Sequence, residues 1–162
     1  MTFMNETFVF DETDRKIVEQ LRHNGRATNQ QIAESLNLIA STVSTRIRRM
    51  EDAGMLRVVA VSDFAVHGYH ILIHLAVQVG GRAALDVAED LAVFPEVFAA
   101  HLVTGSYEIS LLLTLRDIDE LPSLITDRLS KVSGVRSMMP AIGLDIVKYG
   151  LDTAPIDRRR LA

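Results

Sequence analysis

The 162-residue chain contains no cysteine, which excludes disulfides, zinc–thiolate sites and thiol catalysis together. It has no apolar run approaching the ~20 residues that a membrane-spanning helix requires. Its opening, "MTFMNETFVF", lacks the basic flank and cleavage pattern of a secretion signal, so a cytoplasmic location is expected. Nor is there an excess of positive charge: the net charge is -4 and the pI 5.7, which argues against indiscriminate polyanion binding. What the chain does have is 48% hydrophobic residues. That is enough for a packed core in one domain or two small ones.

The charge is unevenly placed. Residues 1–63 carry eight Lys/Arg against nine Asp/Glu, and residues 64–162 carry nine against twelve. Within the first part the acids come early and the arginines late. The nine residues "STVSTRIRR", Ser41 to Arg49, hold three arginines and four hydroxyl side chains.

The first third reads as helices. Ile17, Val18 and Leu21 form an apolar stripe at helical spacing, Asp11 or Thr13 can cap its start, and Asn24-Gly25 ends it. Thr28 with Gln31 fits a capping box ahead of a second helix that turns Ile32, Ala33 and Leu36 inward, and Asn37 suits a left-handed stop. After a short turn, Val43, Ile47 and Met50 at i, i+4 and i+7 define the buried stripe of a third helix closed by Gly54. The β-branched "MLRVVAVSDF" then predicts a short strand or wing, leading into a linker near "AVHGYH".

From Ile71 the period changes to two. Ile71, Ile73, Leu75, Val77 and Val79 share one strand face, and Leu72, His74, Ala76 and Gln78 the other. A helix with Leu85, Ala88, Leu91 and Ala92 follows, then the strand "EVFAAHLVT", a hairpin at "TGSY", and the strand "YEISLLLTL". A further helix holds Leu121, Leu124, Ile125 and Leu129, with Asp119 as the cap that leaves Pro122 harmlessly in the first turn. "GVRSMMPAIGLDIVK" supplies a last strand, which Pro140 confines to a sheet edge. The expected architecture is α+β. A winged helix-turn-helix over 1–63 joins, through a linker at 64–70, a ferredoxin-like β-α-β-β-α-β domain over 71–150, and a tail follows at 151–162.

On the third helix, the side opposite the apolar stripe presents Ser41, Ser44, Thr45, Arg48 and Arg49, with Arg46 at the flank. Small hydroxyls allow close approach to a major groove, and guanidinium groups can fork onto guanine or phosphate. The competing reading is a solvated basic face; the preceding helix and its short turn favour DNA. Ser41, Thr42, Ser44, Thr45, Arg46, Arg48 and Arg49 are the candidate contacts to double-stranded DNA.

"DETDRKIVEQLRHNGRATNQQIAESLNL", "STVSTRIRRMEDAGMLR", "HLVTGSYEISLLL" and "SGVRS" together resemble the leucine-responsive and asparagine regulator (Lrp/AsnC) family of transcription factors, from about Asp11 to about Lys148. The resemblance implies a DNA-binding winged helix-turn-helix and an α+β sensor domain that dimerises, often assembles further, and commonly binds an amino acid. It points to Thr104, Gly105, Ser106, Tyr107, Glu108, Ser137 and Met138 as effector-binding residues. Two positions depart from the family pattern. Ile39-Ala40 stands where Ser-Pro is usual, so a helix cap is missing unless Ser41 supplies it. The usual Gly-x-Tyr-Asp loop reads Gly105-Ser106-Tyr107-Glu108, and "SMMP" replaces the frequent hydroxyls.

Read as chemistry, the "TGSYE" turn offers backbone amides to a ligand carboxylate and Glu108 to its amine, whereas a plain hairpin would need only Gly105 and a packed Tyr107. The sheet face away from the helices, with Leu72, Ala76, Ser110, Leu112 and Thr114, is apolar enough to predict a homodimer. His70 and His74 would stand ~13 Å apart on a strand, too far to share a metal. His101, alternating with Val97, Ala99 and Val103, reads as a packing or interface residue. No cofactor, metal or catalytic residue is expected. Two alternatives remain: an enzyme on the same scaffold, as haem-precursor decarboxylases resemble this family in fold, and a sensor whose DNA-binding part has decayed.

Overall fold

The computed structural model describes residues 9–150; the tail predicted at 151–162 lies outside them. The chain divides into two compact units between Val61 and Ser62.

In the first unit, α1 (Glu12–His23), α2 (Asn29–Leu36) and α3 (Ala40–Asp52) form at the predicted signals. Asp11 caps α1 by accepting from the Asp14 amide at 2.8 Å, and Asp14 returns the bond by accepting from the Asp11 amide at 3.2 Å. Thr28 and Gln31 make the same reciprocal pair at α2. Asn37 stops that helix at φ 54, in the left-handed region its short amide side chain tolerates. Three residues later α3 begins at Ala40 with Ile39 as an N-cap that makes no side-chain bond, so Ser41 does not take over the missing cap. Ile17, Ile32, Ala33, Val43 and Met50 form the buried core, and Ile47 packs partly against it. Burying each larger side chain contributes about 1.5 to 3 kcal/mol.

The expected strand after Gly54 is absent among the described residues. Residues 55–63 form no ladder, and Val58, Val59 and Val61 are exposed. β-branched residues favour a strand only where a second strand and a packed face await them, and no strand pairs with this segment among the described residues.

The second unit is a four-stranded antiparallel sheet ordered β2-β3-β1-β4, from β1 (Ile71–Val79), β2 (Val97–Leu102), β3 (Ile109–Leu115) and β4 (Val135–Ile142). A 3-10 turn over Phe64–His67 precedes it. The core comprises Ile73, Leu75 and Val77 of β1 and Ile109, Leu111, Leu113 and Leu115 of β3. These pack with Leu124, Leu129 and the α4 (Ala84–Leu91) residues Val87, Ala88 and Leu91. Pro140 sits opposite Leu75 on edge strand β4, where its missing amide interrupts no second ladder.

Four sequence expectations are corrected. Leu85 is exposed, and Val87 takes its place on the buried side of α4. A register shift between Val97 and Ala99 puts Val97 opposite Leu113 on the core side, while Ala99 and His101 pair with Leu112 and Ser110 on the open face. An extra residue in one strand flips every side chain after it. The helix at Asp119 runs as α5 (Glu120–Ser123), then a π turn over Leu124–Arg128 and a 3-10 turn over Leu129–Lys131. Within it the Thr126 hydroxyl donates to the Pro122 carbonyl and the Ser130 hydroxyl to that of Thr126, bonds that compete with the regular ladder. Last, β4 ends at Ile142: the Gly143 amide donates to Leu72 at 2.7 Å, and β1, which begins at Ile71, offers no further partner.

Candidate nucleic-acid interface and effector loop

The polar side of α3 is organised by α1. Arg46 Nη1 donates to Asp11 Oδ2 at 2.6 Å and to Asp14 Oδ1 at 2.8 Å, and Arg49 Nη2 donates to Asp14 Oδ2 at 2.6 Å. Asp14 is fully buried. It receives both guanidinium groups and the Asp11 amide, which give its buried oxygens the partners that burial requires. No buried side-chain nitrogen or oxygen lacks a partner among the described residues. The Arg46 guanidinium, helped by the Asp14 amide, holds the Asp11 carboxyl below the usual aspartate range, and Asp11 and Asp14 in turn raise Arg46.

Five of the seven candidate DNA contacts, Ser41, Thr42, Thr45, Arg46 and Arg49, line one open hollow of about 330 Å³ on this side of the helix. Ser44 is half-buried and lies outside it. Arg48 is exposed and makes no ion pair among the described residues. The helix therefore exposes Ser41, Thr45, Arg48 and Arg49, with Thr42 and Ser44 half-buried and Arg46 and Arg49 bonded back to α1. From local signals alone Asp11 has only a capping role, and Asp14 is not singled out.

In the second unit, the β2–β3 hairpin holds the predicted loop. Gly105 has φ 138, a conformation that favours glycine, with open space where a Cβ would stand. Gln78 joins this loop to β4: its Nε2 donates to the Ser106 carbonyl at 2.8 Å, and its Oε1 accepts from the Ser137 hydroxyl at 2.6 Å. Thr104 and Ser106 are exposed and Tyr107 half-buried. The Glu108 carboxylate accepts from the Val79 amide at 2.8 Å. The β1–β3 register ends at Val77 and Ile109, so this bond satisfies an amide beyond the ladder and turns Glu108 toward the protein's own backbone. Met138 is separated from the others: it follows Ser137 on β4, faces the opposite way and packs against the core. Gln78, which the sequence placed on a strand face without a role, is the residue that brings the loop and Ser137 together.

Residues 10–57 match the winged helix-turn-helix DNA-binding family, and residues 71–151 match the Lrp/AsnC ligand-binding domain family. The chain belongs to the Lrp/AsnC family of transcriptional regulators. Within that family it is 33% identical to an uncharacterized HTH-type transcriptional regulator of Pyrococcus horikoshii over 86% of this chain and 89% of the relative. Its fold superposes with a TM-score of 0.80 on the feast or famine regulatory protein of M. tuberculosis complexed with L-methionine, at 25% identity and covering 92% of this chain and 100% of that one. A Neisseria meningitidis transcriptional regulator in complex with L-Met gives a TM-score of 0.78 at 25% identity, over 90% and 97% of the two chains. Lrp/AsnC proteins are transcriptional regulators and not enzymes, so the decarboxylase alternative is set aside. No helix among the described residues is long and apolar enough to cross a membrane.

Proposed function

We propose that this regulator places the outward side of α3 in the major groove, with Ser41, Thr42, Ser44, Thr45 and Arg48 facing the duplex. The observation that carries this reading is the division of α3 into a core stripe of Val43 and Met50 and an outward side of hydroxyls with exposed Arg48. Small residues permit close approach, and an unpaired guanidinium can bind phosphate or a base edge. Fluorescence anisotropy with the duplex upstream of the protein's own coding region tests it. Binding should weaken steeply with salt, and Arg48→Ala should weaken it further; a variant indistinguishable from wild type would refute this placement.

The effector reading is an amino acid seated at the hairpin over Thr104–Glu108, near Ser137. Two relatives of the same fold are complexed with methionine, and the loop joins a glycine turn to polar groups organised by Gln78. Isothermal titration with an amino-acid panel that begins with L-methionine is the test; no heat from any member would leave the loop structural. The working form is a homodimer joined through the open sheet face, where Leu112, Ala76 and Ser110 are half-buried and His74 and Met139 exposed. Paired recognition helices then match half-sites about 34 to 36 Å apart. A light-scattering mass of one chain at micromolar concentration would contradict it.

A further inference from the structure

The three arginines of α3 are not equivalent. Arg46 and Arg49 face two carboxylates, Asp11 and Asp14, across three contacts of 2.6 to 2.8 Å, so two positive charges meet two negative ones, of which Asp14 is buried. Arg48 stands outside this group, exposed. Asp14 has no access to water, and the Asp11 side chain is 42% exposed. A buried carboxylate with fixed hydrogen bonds does not release its guanidinium partners at low cost, because doing so would leave its charge desolvated.

From this arrangement we infer that Asp14 and Asp11 act as specificity-determining positioning residues: they neutralise Arg46 and Arg49 within the protein and leave Arg48 as the α3 guanidinium that meets the duplex. Sequence-independent affinity for DNA rises with each cation available to phosphate, and every such cation steepens the salt dependence. These two carboxylates keep that term small, so base-edge contacts decide a larger share of the binding. The regulator thereby avoids the indiscriminate binding that three clustered free arginines would produce. This inference rests on the placement of α3 in the groove.

The test is the slope of log K against log salt for the full chain, on its own upstream duplex and on an unrelated duplex, with folding checked by circular dichroism. Asp14→Asn and Asp11→Asn should each steepen the slope by about 0.9 per chain and lower the ratio of specific to non-specific affinity severalfold. Asp11→Asn keeps the fold secure, since asparagine caps a helix as well as aspartate. Asp52→Asn removes the same charge from the last turn of α3 without releasing an arginine, and its slope should stay at the wild-type value. Asp11→Asn combined with Arg46→Gln removes one charge of each sign and should also leave the slope unchanged, whereas Arg48→Ala should make it shallower by about 0.9. If the double variant is as shallow as Arg48→Ala, or Asp11→Asn does not differ from Asp52→Asn, the inference falls while the placement of α3 stands. An unchanged slope for Arg48→Ala would overturn both.

Discussion

The two units solve the problem of stability differently. The first has five buried hydrophobic residues in its core and adds a buried carboxylate with two arginines, whereas the second has twelve and, among the described residues, no fully buried charge. A small domain buries too little apolar surface to be stable with ease, so its polar network contributes to holding α1 against α3. The larger sheet domain has no such need. Its polar residues near the hairpin are joined by neutral bonds through Gln78 and are exposed or half-buried, which suits the proposed role of that loop in seating a ligand.

The largest effect that can break this comparison lies in the second unit. Leu111→Ala empties the centre of the sheet core and should cost about 2 to 5 kcal/mol, measured by urea unfolding; a loss below about 1 kcal/mol would mean that the core is not the source of stability. Asp14→Ala is the matching change in the first unit. A fully desolvated pair loses about 3 to 5 kcal/mol when broken, but Arg46 and Arg49 reach water with side chains 27% and 49% exposed. A loss of about 2 to 3 kcal/mol is therefore expected in the same assay. If Asp14→Ala were neutral, the contrast between a charge-supported and an apolar unit would disappear.

Gln78→Ala removes two bonds between half-buried or exposed groups and should cost about 1 kcal/mol while weakening amino-acid binding in calorimetry. Unchanged amino-acid affinity would show that Gln78 does not organise the loop. The Asp11 carboxyl is held below its ordinary range, so its contribution is fully present above the ordinary aspartate value and is lost as pH falls through the lowered one. Thermal unfolding between about pH 5 and about pH 2 should show the gap between wild type and Asp11→Asn closing in acid. A constant gap would assign the effect of Asn to capping rather than charge.

What could be read from the sequence was local. Thr28 with Gln31 and Asn37 after Leu36 act within one turn of chain, and the periods of 3.6 and 2 separate helices from strands without reference to neighbours. What could not be read depends on residues far apart: Arg46 and Asp14 are 32 positions from each other, and Gln78 and Ser137 are 59. The shift between Val97 and Ala99 is decided by the facing strand, so Val97 does not share a face with Ala99 and His101 as simple alternation predicts. The valines after Gly54 show the opposite case, where local preference predicts a strand and no partner strand is present among the described residues.

In the proposed complex, α3 meets DNA with the side left outward by its core stripe and by the ion pairs to α1. Nuclear magnetic resonance shift mapping of the full chain, titrated with its upstream duplex, tests this residue by residue. The largest shifts should fall on Ser41, Ser44, Thr45 and Arg48, with those of Asp14 smaller. Shifts that spare α3 and gather on another surface would contradict this placement of α3.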